Sequence, residues 1–170
     1  MLALRSMTLG DLGFVEEWLA DPVVARWWLE GSNVRAELED LRQSMTGEQP
    51  TFAVLVLADD VPIGWCQWYR VADYPEFAAD VRAEPGDVGI DYAIGAAAYR
   101  GRGLGADLIA ALVNAVRVHH ERAGIVADPN AENRASRRVL ECNGFLLQFV
   151  AKLTSEVTDE PMAVYRLAPS

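Results

Sequence analysis

The spacing of hydrophobic residues predicts one strand and three helices at the start of the chain. Leu2–Arg5 is a short apolar segment typical of a strand, and the residues after it fall at helical spacing: Leu9, Leu12, Val15 and Leu19. Asp21 and Pro22 are expected to end this helix and to begin a shorter one that reaches Trp28. Ser32 is placed to cap a third helix, because a Ser hydroxyl accepts hydrogen bonds from the free N–H groups of a first helical turn.

The middle of the chain has the pattern of a sheet. Phe52–Leu57 is a continuous apolar run and predicts a buried strand. Pro62–Arg70 is the expected returning strand of a hairpin, since the acidic residues between the two runs favour a turn. Val71–Gly86 is polar and contains two prolines, so it is predicted as a loop, and Asp87–Ile94 is predicted as the next strand.

Helices and strands alternate in the second half of the chain. The small, glycine-rich stretch Gly95–Gly105 leads into a predicted helix, Ala106–His119. The predicted elements after it are a strand, a helix and two strands: Gly124–Ala127, Ala131–Cys142, Phe145–Thr154 and Ala163–Leu167. This order predicts an α/β fold in which helices pack on one mixed sheet, with right-handed crossovers in the β-helix-β-helix-β segment. Because no internal repeat or linker is visible, residues 1–170 are expected to form one domain.

The composition narrows the choice of partners. The chain is 51% hydrophobic, which excludes a disordered protein, and its formal net charge of −10 disfavours binding to nucleic acid or to an anionic membrane. A charge of this sign suits a cationic partner, or it only keeps the protein in solution. Cys66 and Cys142 are expected to be reduced thiols. The start lacks a signal-peptide pattern and no apolar run approaches the ~20 residues of a membrane span, so we expect a cytoplasmic protein.

The charge is divided unevenly along the chain. Between Ala97 and Lys152 there are eight Lys and Arg against five Asp and Glu, whereas the remainder has seven against twenty. The basic stretch includes Arg100-Gly101-Arg102-Gly103-Leu104-Gly105 at a strand–helix junction, where glycines let backbone N–H groups converge on an anion. A phosphate or pyrophosphate is the natural occupant, with a plain strand–helix turn as the alternative. The spacing matches neither the dinucleotide-binding nor the P-loop pattern, which disfavours NAD and ATP.

The motif Arg100-x-x-Gly103-x-Gly105 resembles the acetyl-CoA pyrophosphate motif of the GNAT N-acyltransferase superfamily, and the resemblance continues from Asp128 to Phe145. It implies acetyl-CoA as cosubstrate, no metal, and a mostly antiparallel mixed sheet of about seven strands flanked by about four helices. The fourth and fifth strands, Asp87–Ile94 and Gly124–Ala127, are expected to splay apart around the cosubstrate. The resemblance implies the following cofactor-binding residues: Ile94, Arg100, Gly101, Arg102, Gly103, Leu104, Gly105, Ala106 and Asn133.

Over nearly its whole length the chain is similar to one group within this superfamily, the aminoglycoside 6′-N-acetyltransferases of antibiotic resistance. The similarity includes Val24–Trp28, Pro62–Gly64, Pro85–Asp91 and Ala163–Tyr165. It implies acetyl transfer to the 6′-amine of a cationic small-molecule substrate, with Asp91 in the place of the proposed catalytic base. The implied substrate-binding residues are Trp28, Glu76, Asp91, Asp128 and Glu160. Glu76 and Glu160 are placed by ungapped counting alone.

The chemistry of Asp91 leaves three roles open. Acyl transfer to an amine requires the neutral amine, so the ammonium group of the acceptor must first lose a proton. A free Asp has a pKa near ~3.9 and is a weak base at neutral pH unless burial raises that value. Asp91 is therefore a candidate base or proton relay, a candidate electrostatic anchor for the amine, or a structural residue.

Leu140 departs from the superfamily pattern, in which a tyrosine on the helix after Asn133 often protonates the departing CoA thiolate. A thiolate whose conjugate acid has a pKa near ~8.5 can leave without such a group, so acetyltransferase activity is compatible with Leu140.

Two functions remain as alternatives to an aminoglycoside acetyltransferase. One is a GNAT acyltransferase for a siderophore hydroxylysine, a polyamine or a protein lysine, and the other is a non-catalytic CoA-binding module. The members of the superfamily that act on siderophores have a His at the position of Asp91, so the Asp in this chain disfavours a siderophore acceptor. Both a monomer and a homodimer fit the sequence.

Overall fold

The computed structural model describes all residues, 1–170, and contains seven strands and six α-helices. The strands are β1 (Leu2–Ser6), β2 (Thr51–Ala58), β3 (Val61–Arg70), β4 (Val88–Ile94), β5 (Ile125–Ala127), β6 (Leu146–Ala151) and β7 (Met162–Leu167). The helices are α1 (Leu12–Leu19), α2 (Pro22–Trp28), α3 (Val34–Thr46), α4 (Pro75–Asp80), α5 (Leu104–His119) and α6 (Arg134–Cys142). None of the helices is both long enough and apolar enough to cross a bilayer.

All seven strands form one sheet in the order β1-β2-β3-β4-β5-β7-β6. Every neighbouring pair is antiparallel except β4 and β5, which run parallel. These two strands pair only at Val88 with Ile125 and at Gly89 with Val126, and from there to Ile94 β4 pairs only with β3. The predicted splay between the fourth and fifth strands is therefore confirmed, and it opens beyond Gly89.

Helices cover both faces of the sheet and give β4 two different surroundings. On one face α5 and α6 bury the largest core cluster, which includes Ile90, with Tyr92 packed against it. On the other face α1, α2 and α3 surround a second cluster that contains Trp65 and contacts Ala93. Because side chains alternate along a strand, Asp91 lies on the α1–α3 face and Tyr92 on the α5–α6 face.

The structure differs from the sequence prediction at several element ends. Asn33, rather than Ser32, caps α3, because its side-chain oxygen accepts a 3.0 Å hydrogen bond from Ala36 N. The fifth helix begins at Leu104, two residues before the predicted start. Six helices flank the sheet: five match helices that the sequence predicts individually, and the sixth, α4, lies in a predicted loop.

The predicted loop Val71–Gly86 contains a short 3₁₀ turn followed by α4. Pro75 occupies the first turn of α4, where the missing N–H of a proline costs nothing. Phe77 and Val81 lie four residues apart and are both buried against β5 and β7. A prolyl helix start and two apolar residues on one face explain why this acidic segment folds onto the sheet.

Candidate active site

The glycine-rich turn forms an open cradle of backbone donors at the start of α5. Gly101 and Gly103 have φ angles of 72° and 81°, and a Cβ placed on either glycine would meet no atom within 4 Å. The N–H groups of residues 101–105 donate no hydrogen bond within the protein. Converging free donors at the positive end of a 16-residue helix fit the pyrophosphate of a nucleotide cosubstrate such as CoA.

Two arginines of the turn have different partners. The guanidinium of Arg100 forms an ion pair with Asp21, the residue that caps α2, and its second terminal nitrogen is buried without a partner. Arg102 is exposed and lies over the ring of Tyr99, with 6.0 Å between the guanidinium carbon and the ring centroid. Arg102 is therefore free to meet a phosphate, whereas Arg100 would first have to share its bond with Asp21.

The far side of the splay is formed by the start of α6. Asn133 caps this helix by accepting a 3.1 Å hydrogen bond from Ser136 N, which leaves its side-chain N–H₂ group without a partner in the protein. The hydroxyls of Tyr92 on β4 and Ser136 on α6 lie 2.6 Å apart. The contact between Tyr92 and Ser136 places the start of α6 beside β4, next to the opening that the strands leave.

On the opposite face of β4 lies a cleft of about 620 Å³. Six carboxylates and no Lys or Arg line it, and they come from α3, the segment around α4, β4 and the β6–β7 loop: Glu37, Asp40, Asp73, Glu76, Asp91 and Glu156. The aromatic rings of Tyr69, Tyr74 and Phe77 complete the wall. A cleft with this uniform charge attracts a ligand with several positive charges.

Asp91 occupies the base of this cleft and lies on the strand that borders the splay. Its carboxylate accepts a 2.8 Å hydrogen bond from Gln67 Nε2 on β3. Burial raises the pKa of Asp91 above its usual range, and the bond from Gln67 opposes part of this shift. A carboxylate with a raised pKa is a better proton acceptor near neutral pH than an exposed aspartate.

Glu37 and Glu30 also hold their protons unusually tightly. Burial raises the pKa of Glu37 to about 7, with Asp91 and Asp40 adding like-charge repulsion and the Trp28 indole opposing the shift. Burial likewise raises the pKa of Glu30 to about 7. Neither carboxylate forms a salt bridge within the protein.

Asp128 directly follows β5 and faces the same region from the other side of the splay. Burial raises its pKa well above the usual range, and the negative charges of Asp91, Glu156 and Glu30 raise it further. The pKa of Glu156 is raised by burial and then by Asp91. These carboxylates raise one another's pKa values, and Arg26, which acts on Glu30, is the one cation that opposes this effect. A cationic ligand would compensate the remaining negative charge.

Two of the five predicted substrate-binding residues line the cleft. Asp91 and Glu76 line the cleft, and Asp128 lies within electrostatic reach of Asp91. Trp28 packs against Trp65, with 4.3 Å between ring centroids. Glu160 does not line the cleft: Arg26 binds both of its carboxylate oxygens at 3.0 Å, and the Asn130 amide also donates to it.

Several acidic residues of the site were not predicted from the sequence. Glu37 and Asp40 are acidic residues of α3, and Glu156 is in a loop. The excess of acids outside the basic stretch was the one available signal, and it does not say which carboxylates converge. Leu140 is fully buried in the core beneath α6, in keeping with its apolar character.

The chain is similar in sequence to known acetyltransferases. The model of the acetyltransferase (GNAT) domain family matches residues 8–153. Aminoglycoside N(6')-acetyltransferase type 1 from Klebsiella pneumoniae and the same enzyme from Serratia marcescens are each 30% identical to the chain over 148 residues. The alignments cover 85% of this chain and 73% of each relative.

Solved structures agree with the sequence comparison. Aminoglycoside acetyltransferase AAC(6')-Ib in complex with coenzyme A has a TM-score of 0.84 at 26% identity, covering 99% of this chain and 95% of that one. The complex of AAC(6')-Ib with coenzyme A and kanamycin has a TM-score of 0.81 at 25% identity, with the same coverage. Its complex with ribostamycin and coenzyme A has a TM-score of 0.83 at 26% identity, covering 98% and 93% of the two chains.

Proposed function

We propose that this chain, which belongs to the GNAT acetyltransferase family, transfers the acetyl group of acetyl-CoA to the 6′-amine of an aminoglycoside. Acetyl-CoA-dependent N-acetyl transfer follows from the family itself. The aminoglycoside acceptor is the proposal, and one observation carries it: the cleft at Asp91 has six carboxylates and no cationic side chain. Two relatives, each 30% identical to the chain, are named as aminoglycoside N(6')-acetyltransferases, which supports the same acceptor.

Asp91 prepares the acceptor for attack in this proposal. The acceptor amine enters as an ammonium group and must lose one proton before its lone pair can attack the thioester carbonyl. Asp91 accepts that proton, because burial raises its pKa and Gln67 fixes one of its oxygens. The other carboxylates of the cleft hold the remaining ammonium groups and so orient the reacting amine.

The turn before α5 holds the cosubstrate. The free N–H groups of residues 101–105 bind the pyrophosphate, and the exposed guanidinium of Arg102 adds a positive charge. The unpartnered amide of Asn133 donates to the arm of CoA across the splay. Bound acetyl-CoA supplies the acetyl group as a thioester. CoA leaves as a thiolate whose conjugate acid has a pKa near ~8.5, so no acid is needed at the position of Leu140. The second proton, which the acceptor nitrogen loses as the amide forms, goes to this thiolate or to solvent.

A screen of amine acceptors tests the proposal, with release of free CoA as the readout. We expect kanamycin and tobramycin to exceed lysine peptides and spermidine in kcat/KM by ~10²-fold or more, because matched polar sites discriminate by such factors. A matched control is an aminoglycoside with a hydroxyl in place of the 6′-amine, which should give no CoA. Faster turnover of spermidine or a lysine peptide would assign the chain to another acceptor. Tight acetyl-CoA binding without turnover of any amine would instead indicate a non-catalytic module.

A further inference from the structure

The turn that precedes α5 is tied to helix α2 by an ion pair. The guanidinium of Arg100, the residue just before the cradle, binds the carboxylate of Asp21 through Nη2. Asp21 is also the N-cap of α2, where its other oxygen accepts a 2.9 Å hydrogen bond from Val23 N. The two charged side chains are only 24% and 30% exposed, so solvent screens the pair less than it screens a surface pair. One carboxylate therefore holds both the start of α2 and the start of the cradle.

A row of indole rings connects the same segment with the end of α2. A Cβ on Gly95, which follows β4, would overlap the ring of Trp18, so the backbone lies directly against this indole. Trp18 stacks on Trp65, with 5.7 Å between ring centroids. Trp65 contacts Trp28, with 4.3 Å between ring centroids. The segment between β4 and α5 is thus joined to α2 at both ends of that helix.

Both connections include Trp28, and Trp28 lies beside the acidic cleft. It is the last residue of α2, the helix that Asp21 caps. Its indole is close enough to Glu37 to oppose the effect of burial on the pKa of that carboxyl. Glu37 lines the cleft that contains Asp91. A change in how firmly the turn holds α2 is therefore transmitted to the wall of the cleft through packed side chains.

Arg100 is poorly placed to bind an anion itself. Its Nη1 atom is buried without a hydrogen-bond partner, and Nη2 is bound to Asp21. Withdrawing the guanidinium towards a phosphate would leave Asp21 without its cation, which costs the charge-assisted hydrogen bond. An anion that accepts hydrogen bonds from the N–H groups of residues 101–105 instead fixes the backbone of the turn. It thereby fixes Arg100 against Asp21.

We propose that Arg100 and Asp21 are positioning residues through which CoA bound at the turn strengthens acceptor binding at the cleft. This inference rests on the proposed function, which places CoA at the turn and the aminoglycoside at the cleft. The first ligand to bind orders the turn and α2 together, so the second ligand loses less conformational entropy and binds more tightly. The coupling is reciprocal, since its free energy is the same whichever ligand binds first.

Calorimetry of kanamycin binding, with and without saturating CoA, measures the coupling. CoA carries no acetyl group, so no turnover accompanies binding. We expect CoA to tighten kanamycin binding by ~10-fold in the wild type, and by about twofold or less in Asp21→Ser and Arg100→Met. Serine keeps an oxygen that caps α2, so Asp21→Ser removes the ion pair alone. Hydrogen exchange of the α2 amides should slow when CoA binds the wild type, but not when it binds Asp21→Ser.

Arg5→Met is the matched control. Arg5 forms a 2.7 Å ion pair with Asp11, which precedes α1 as Asp21 precedes α2, but Arg5 lies on the edge strand β1. This variant should keep the wild-type coupling even if its melting temperature falls. The double variant Asp21→Ser/Arg100→Met should behave like either single variant, because all three lack the same ion pair. Loss of coupling in Arg5→Met would assign the effect to general stability and overturn the proposal.

Two further outcomes separate this inference from the proposed function. If the wild type binds kanamycin equally well with and without CoA, the coupling is overturned while the proposed function stands. If CoA binds more tightly to Asp21→Ser and more weakly to Arg100→Met, Asp21 and the pyrophosphate compete for Arg100, which also overturns the coupling. Absence of kanamycin binding in either condition would contradict the proposed function and, with it, this inference.

Discussion

The carboxylate of Asp91 accepts a 2.8 Å hydrogen bond from the side-chain amide of Gln67, which is its direct partner in the β3–β4 register. Burial raises the pKa of Asp91, and the bond from Gln67 lowers it again by stabilising the ionised form. A neutral amide therefore adjusts the basicity of the group that we assign to proton removal.

Replacing Gln67 should move this pKa in a defined direction. In Gln67→Leu the ionised carboxylate loses a donor, so the pKa of Asp91 rises and the acidic limb of the kcat/KM profile moves to higher pH. Acetylation rates measured from acidic to alkaline pH check this. The rate on the alkaline plateau should change little, since Asp91 is ionised there in both proteins. If the acidic limb stays at the wild-type pH, Gln67 does not influence the pKa of the group that sets this limb.

Asp91→Asn removes the proton acceptor while keeping the shape of the side chain. We expect kcat to fall by ~10²-fold or more, the usual contribution of a positioned base. Steady-state kinetics with saturating acceptor measure the loss. Acetyl-CoA binding should be unchanged, because the cradle at residues 101–105 is formed by the turn at the start of α5 and not by β4. Unchanged turnover would leave Asp91 only an anchoring or structural role.

The strands and the glycine-rich turn were predictable because their information is local. Continuous apolar runs mark β2 and β3, and the glycines of the turn mark the start of α5. The acidic cleft was predictable only in part, since its carboxylates are distant in sequence and their convergence is decided by packing. Glu37 illustrates this: nothing near it in the sequence shows that α3 turns it towards Asp91.

Glu160 shows the limit of carrying a residue over by position. Counting along the chain finds a carboxylate at a plausible place, but it cannot reveal that Arg26, far away in sequence, binds that carboxylate with both ends of its guanidinium. Conversely, the sequence pattern predicts a loop where α4 lies, because two prolines and several acids outweigh the two buried residues Phe77 and Val81.

Gly89 should tolerate no side chain, because a Cβ at this position would lie 2.5 Å from the ring of Tyr69. That ring is held by Tyr74 and Phe77, with ring centroids at 5.2 and 5.9 Å, so it has little room to move. Gly89→Ala should destabilise the protein by ~1–3 kcal/mol, the usual effect of overpacking, and should raise the acceptor KM. Thermal denaturation and kinetics measure both effects. Gly13→Ala is the control, since a Cβ there meets no atom within 4 Å.

Gly103→Ala should weaken acetyl-CoA binding through the backbone. Gly103 has a φ of 81°, and Gly47, which follows α3, has a φ of 77° with equally open surroundings. Alanine at either site should cost a similar ~1 kcal/mol of stability, because the left-handed region is strained for a residue with a Cβ. Only Gly103→Ala should raise the acetyl-CoA KM, since only this residue belongs to the donor cradle. Equal acetyl-CoA KM values for the two variants would place the pyrophosphate elsewhere.

Glu37 should make the protein less stable as the pH rises towards neutrality. In the unfolded chain this carboxyl has its ordinary pKa of 4.5, whereas burial in the folded protein raises the pKa to about 7. Between these values the folded state binds more protons than the unfolded state, so the free energy of unfolding falls with increasing pH. Melting temperatures across this interval should fall less steeply for Glu37→Gln than for the wild type. The control Glu17→Gln, at an exposed glutamate on α1, should keep the wild-type slope. A wild-type slope in Glu37→Gln would show that folding does not raise the pKa of Glu37.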